Sequence, residues 1–175
     1  MPRTTLFAVT LVAALAAALP AAAQQSLAGR EASGRTAMTD DQRAIANVVH
    51  ELFDGMRAGD STAVRSVLHP RVRMVTSSRR DGQPVVAVEE SLDGFVEAVG
   101  TPHEEVWDER IWGLLIRTDG DFGMAWMNYA FYLGSRFSHC GVDLMELVRT
   151  ADGWKIIGLA DTRRREGCEV PASLD

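Results

Sequence analysis

Two alternating runs near the end of the chain, Phe137–Arg149 and Trp154–Arg165, are separated only by Thr150-Ala151-Asp152-Gly153. Asp-Gly between such runs is a strong hairpin signal, because glycine takes positive φ without strain. A three-residue loop at Ala151-Asp152-Gly153 sets Thr150 opposite Trp154 and Asp143 opposite Asp161. His139, Asp143, Asp161 and Arg163 then share one face of a sheet, since side chains alternate with a period of two. A slip of one residue turns all four away.

The elements before this ribbon decide what the face looks onto. Thr39–Gly59 reads as a long helix. Thr39 and Gln42 have capping-box spacing, and Asp40 and Asp41 suit the positive end of the helix dipole. Ile45, Val48, Val49, Leu52, Phe53 and Met56 form one apolar stripe, and Gly59 stops the helix. Asp60 caps a second, short helix over Ser61–Leu68, which Pro70 ends. Val72–Ser77 and Val85–Glu89 read as short strands around Asp81-Gly82, and Ser91–Val99 as a short amphipathic helix. Glu105–Arg117 and Phe122–Tyr132 are long strands turning at Thr118-Asp119-Gly120-Asp121. Neither face of Glu105–Arg117 is cleanly apolar at its start. His50, His69 and His103 fall beside the stripe, at a helix end and in a loop.

This order predicts an α+β domain: a strongly curved antiparallel sheet wrapped around a long N-terminal helix, a cone with an open pocket. The domain is expected over 39–168, followed by a flexible tail, 169–175. Residues 1–23 read as a cleaved secretory signal. Arg3 is the basic end, Leu6–Leu19 an apolar run too short to span a membrane comfortably, and Ala21-Ala22-Ala23 a small-residue cleavage site. Residues 24–38 are polar and rich in small residues, the composition of a disordered linker. This predicts a periplasmic or secreted protein with no membrane span once the signal is gone. An oxidising compartment then allows Cys140 and Cys168, the only cysteines, to bridge.

Charge narrows the partners. With Arg3 removed, 18 basic residues become 17 against 24 acidic, and the formal charge moves from −6 to −7. Phosphate backbones repel such a domain, which discounts nucleic acid.

The run Phe53-Asp54-Gly55-Met56-Arg57-Ala58-Gly59-Asp60, followed by Val67-Leu68-His69-Pro70, resembles the lumazine-binding branch of the nuclear-transport-factor-2-like (NTF2-like) superfamily. The ending Asp152-Gly153-Trp154-Lys155-Ile156 is also similar to that superfamily, which includes ketosteroid isomerases, limonene epoxide hydrolase, scytalone dehydratase and SnoaL-like cyclases. The resemblance covers about 39–165 and implies the cone fold. Activity does not follow from it, because this fold hosts many unrelated functions. Neither the isomerase dyad nor the epoxide-hydrolase Asp-Arg-Asp set maps onto the chain residue by residue.

Residue chemistry proposes the site. His139, Asp143 and Asp161 are the candidate catalytic set. Arg163, Trp126, Asn128 and Tyr129 or Tyr132 are the candidate ligand-binding residues. Two carboxyls sharing a dry pocket cannot both ionise cheaply, so one becomes a proton donor beside a base. Three functional readings follow. The first is a domain that binds a small, partly apolar ligand without a cofactor. The second is a cofactor-independent isomerase, dehydratase or hydrolase. The third is a module that forms a homodimer through the sheet. The carboxylates and His139 lack any metal-ligand spacing, and a cross-strand ion network remains the structural alternative.

Overall fold

Helix α1 (Asp40–Ala58) carries the apolar stripe that the sequence calls for, with Ile45, Val49 and Leu52 fully buried. Its capping box is complete: Thr39 Oγ1 accepts from the Gln42 amide, and Gln42 Oε1 accepts from the Thr39 amide. The computed structural model describes residues 37–89 and 91–174. The expected signal segment and nearly all of the expected linker lie outside the described residues.

Asp60 caps α2 (Ser61–Val67), accepting from the amides of Thr62 and Ala63 at 3.0 Å each. Strands β1 (Leu68–Arg80) and β2 (Gln83–Glu89) form a hairpin, and α3 (Leu92–Gly100) follows under a Ser91 cap. Four long strands complete the chain: β3 (Trp107–Asp119), β4 (Phe122–Leu133), β5 (Arg136–Thr150) and β6 (Gly153–Arg163). They make one curved, open sheet ordered β2-β1-β6-β5-β4-β3.

The fold is α+β, as the element order predicts, and the last four strands are antiparallel throughout. One join differs from the expectation: β1 lies parallel to β6, which makes the sheet mixed. The first hairpin therefore docks on the edge of the last strand. Val72–Ser77 lengthens to Leu68–Arg80 because β6 and β2 hydrogen-bond β1 on its two sides.

Three bulges set which side chains face the helices. In the last hairpin Thr150 pairs with Gly153, not with Trp154 as expected, and Gly153 takes φ 95° at the turn. Further along, Ile157 is left unpaired between Leu147–Ile156 and Glu146–Gly158. That extra residue restores the expected pairing of Asp143 with Asp161. It also switches the inward parity of β6, from Trp154 and Ile156 to Leu159 and Asp161. On β3, Gly113 (φ 67°) and Leu114 together oppose Met127. The inward set there changes from Glu109 and Ile111 to Leu114 and Ile116. Ser138 bulges on β5, so Phe131 meets His139 and Tyr132 meets Phe137.

The inward residues of the turn-side half close on α1 as the core: Ala125, Met127, Met145, Leu147 and Ile156 are each 0 % exposed. On the outer face, Cys140 is bonded to Cys168 in a disulfide, as the cysteine pair predicts. The bridge ties the C-terminal segment over β4 and β5, where Arg110 stacks 4.3 Å above the Tyr132 ring and donates to the Leu174 carbonyl. Among the described residues no helix is long and apolar enough to cross a membrane.

Candidate functional site

Between α1, α3 and the inner face of the sheet, beyond the core, lies a cavity of about 310 Å³. That is the small end of the range for ligand sites. Leu52, Phe53 and Met56 of α1, Phe95 of α3 and Leu159 of β6 make its apolar wall. Thr76, Glu109, Tyr129, His139, Asp143 and Asp161 supply its polar wall, together with Arg163.

Each polar group arrives by strand register. Asp161 faces inward because Ile157 bulges, and β1 beside it in parallel brings Thr76 alongside. Asp161 accepts from Thr76 Oγ1 at 2.6 Å and from Arg163 Nε at 2.8 Å. Tyr129 OH lies 3.2 Å from Asp161 Oδ2 and 2.9 Å from the Thr162 carbonyl, and its single hydrogen serves one of them at a time. Glu109 faces inward because the Gly113 bulge separates it from the apolar parity of Leu114 and Ile116.

Asp143 is only 2 % exposed, and its Oδ2 is buried without a hydrogen-bond partner. Burial pushes its pKa up to about 7, against a bond from Glu109 that pulls it down. Burial, and then the charge of Asp143, holds Glu109 well above the usual carboxylate range. The two shifts describe one arrangement. Glu109 keeps its proton and donates a hydrogen bond to Asp143, a bond that exists only while one of the pair is protonated. Glu109 is partly open by surface area, yet its carboxyl group sits deep enough for burial to dominate.

Burial, reinforced by Arg163, lowers His139 to about 4, so the ring is neutral at pH 7. Ser138 Oγ lies 3.0 Å from His139 Nδ1, and Phe131 and Tyr129 pack on the ring with centroids at 5.0 and 5.7 Å. Burial raises the Tyr129 phenol too, with Asp161 the next cause, which keeps it a neutral donor. Arg163 is raised: burial works against its charge, but the bond to Asp161 prevails.

The structure therefore brings His139, Asp143, Asp161, Arg163 and Tyr129 together. Trp126, Asn128 and Tyr132 do not line the cavity. In β4 the odd positions Met127 and Tyr129 face inward, so the even ones face out. Trp126 is 44 % exposed there, and Tyr132 is covered by Arg110 and Phe137. Glu109 is the residue that sequence reasoning passed over. Its signal was the mixed polarity at the start of β3, which only a bulge resolves. His50 and His69 lie away from this cavity, and His103 stacks on Trp107 with centroids at 4.0 Å. Among the described residues no three of His, Cys, Asp and Glu are grouped as metal ligands would be.

Residues 40–159 match the family model described as "Putative lumazine-binding". Among solved structures, an NTF2-like protein of Novosphingobium aromaticivorans with a cystatin-like fold aligns at TM-score 0.59 and 12 % identity. That alignment covers 86 % of this chain and 93 % of that one. An NTF2-like protein of Shewanella baltica aligns at TM-score 0.56 and 14 % identity, over 75 % of this chain and all of the other. A cystatin-like-fold protein of Nostoc punctiforme aligns at 0.59 and 9 % identity, over 75 % and 97 %. At these identities the likeness is one of fold. No curated protein matches the chain.

Proposed function

The chain belongs to the putative lumazine-binding family of NTF2-like domains, and we propose from that premise that it is an exported domain that binds a small, partly apolar molecule. One observation carries this reading. A cavity of about 310 Å³ has an apolar wall on one side and, on the other, the hydrogen-bonding groups of Glu109, Tyr129, His139, Asp143 and Arg163. Convergent polar groups in an otherwise apolar hollow are how small-molecule sites fix orientation. The Cys140–Cys168 disulfide supports a periplasmic or secreted location, since such bonds persist in oxidising compartments.

Native mass spectrometry of the full chain, before and after incubation with a fragment library, tests the reading. A bound small molecule that disappears when Met56→Trp fills the cavity is the expected result. No bound mass in either condition overturns it.

A second reading is cofactor-independent proton transfer, as in an isomerase, dehydratase or hydrolase. Asp143 near 7 beside a protonated Glu109 is what favours it, because it sets a base next to an acid at working pH. Asp161, held by Thr76 and Arg163, then orients the site, and His139, lowered to about 4, serves as a neutral hydrogen-bonding group rather than as the base. We also propose that the outer sheet face pairs with a second copy. Leu115 and Trp126, cross-strand partners there, are each 44 % exposed.

A further inference from the structure

The cavity wall holds more carboxyl groups than cations. Glu89, Glu109, Asp143 and Asp161 line it from β2, β3, β5 and β6, against Arg163 and a neutral His139. Arg163 directs its Nε to Asp161 at 2.8 Å, so that pair compensates itself. Asp143 is left over: it is 2 % exposed, and no donor reaches its Oδ2. The titratable and charged groups that share the cavity with it are Glu109 from β3, Tyr129 from β4, Asp161 and Arg163 from β6, His139 from its own strand and Glu89 from β2. Helices α1 and α3 present only Leu52, Phe53, Met56 and Phe95 to the cavity, with no charge among them. A buried oxygen without a donor is costly. Among the groups lining the cavity, only a protonated Glu109 donates to this carboxyl, and Oδ2 stays without a donor.

We propose that the ligand carries a cationic nitrogen head, a primary ammonium or an amidinium, on a small apolar body, and that this head sits between Glu109 and Asp143. The inference rests on the reading of the cavity as a ligand site. On binding, the nitrogen N–H groups donate to both carboxylates, Glu109 releases its proton to the buffer, and the apolar body lies against Phe53, Met56 and Phe95. Charge is conserved: one cation enters and one proton leaves. An anionic head meets the same carboxyls as like charges and is rejected.

Three matched probes test this on the full chain: benzylamine, benzyl alcohol and benzoate. Each is titrated calorimetrically at pH 8, where Asp143 is ionised, in phosphate and in HEPES, whose ionisation heats differ. Benzylamine is expected to bind at least about tenfold more tightly than benzoate, since like-charge contact costs that much or more. Its heat should differ between the buffers in the sense of proton release. Glu109→Gln should still bind benzylamine and lose the release. If that variant fails to fold, the buffer comparison on the unaltered chain still decides. Benzyl alcohol or benzoate binding as well as benzylamine, or benzylamine binding without proton release, overturns the cationic head and leaves the cavity as a ligand site. If no probe binds and native mass spectrometry also finds nothing, both readings fall.

Discussion

Strands β4, β5 and β6 each cross two environments on the same inner face. Toward the Asp152-Gly153 turn they present Ala125, Met127, Met145, Leu147 and Ile156, all fully buried against α1. Past the Ile157 and Gly113 bulges they present Tyr129, His139, Asp143, Asp161 and Arg163 to a cavity. One half is hydrocarbon fully closed to solvent. The other keeps a hollow and an unsatisfied carboxylate oxygen. Stability is expected to reside in the first, and the proposed ligand site lies in the second, the division expected where a site trades folding energy for function.

Breaking the apolar half should have the larger effect. Leu147→Ala leaves a void in a fully enclosed site and is expected to cost about 3 kcal/mol, read as a lower midpoint in urea with an unchanged slope. A loss below about 1 kcal/mol would mean that this half is loosely packed, and the contrast would fail.

The polar half should answer in the opposite sense. Asp143→Asn removes a buried charge and is expected to raise Tm by a few degrees at pH 8. The sign follows from linkage. The folded state holds the Asp143 proton up to about 7, well above the unfolded value. Between the two the folded chain binds the extra proton, so the wild type loses stability as pH rises through that window and pays the full penalty above it. The advantage of Asp143→Asn should therefore shrink as pH falls from 7 to 4. His139 slopes the other way: its lowered pKa makes both proteins less stable as pH falls from about 6.5 toward 4. Subtracting one melting curve from the other removes His139 and leaves the linked Glu109–Asp143 pair. A variant less stable than the wild type at every pH would make the cluster a structural network instead.

The smallest effect on stability is expected on the outer face. Trp126→Glu replaces an exposed side chain and should change folding by less than about 0.5 kcal/mol, while converting a dimer to a monomer in light scattering. An unchanged mass would remove the proposed pairing of sheets.

Local signals carried much of this architecture. Capping residues, the apolar stripe of α1 and the Asp-Gly turns rest on contacts a few residues apart, and each was legible along the chain. The expected pairing of Asp143 with Asp161 is present, but through a shorter loop compensated by a bulge rather than through the three-residue loop. The parallel join of β1 to β6 had no local mark, since which edge a hairpin docks on depends on where distant strands leave unpaired hydrogen-bond donors and acceptors.

The sequence alone determined the helices, the long strands, the cysteine pair and the polar character of the last hairpin. Tertiary structure decided which side chains share the cavity: Glu109 inward, Tyr129 in place of Tyr132, Trp126 and Asn128 outside. The reason is parity. A strand's alternation can be read from its residues, but an unpaired Gly113 or Ile157 reverses it, and only pairing with a neighbouring strand shows where the reversal falls.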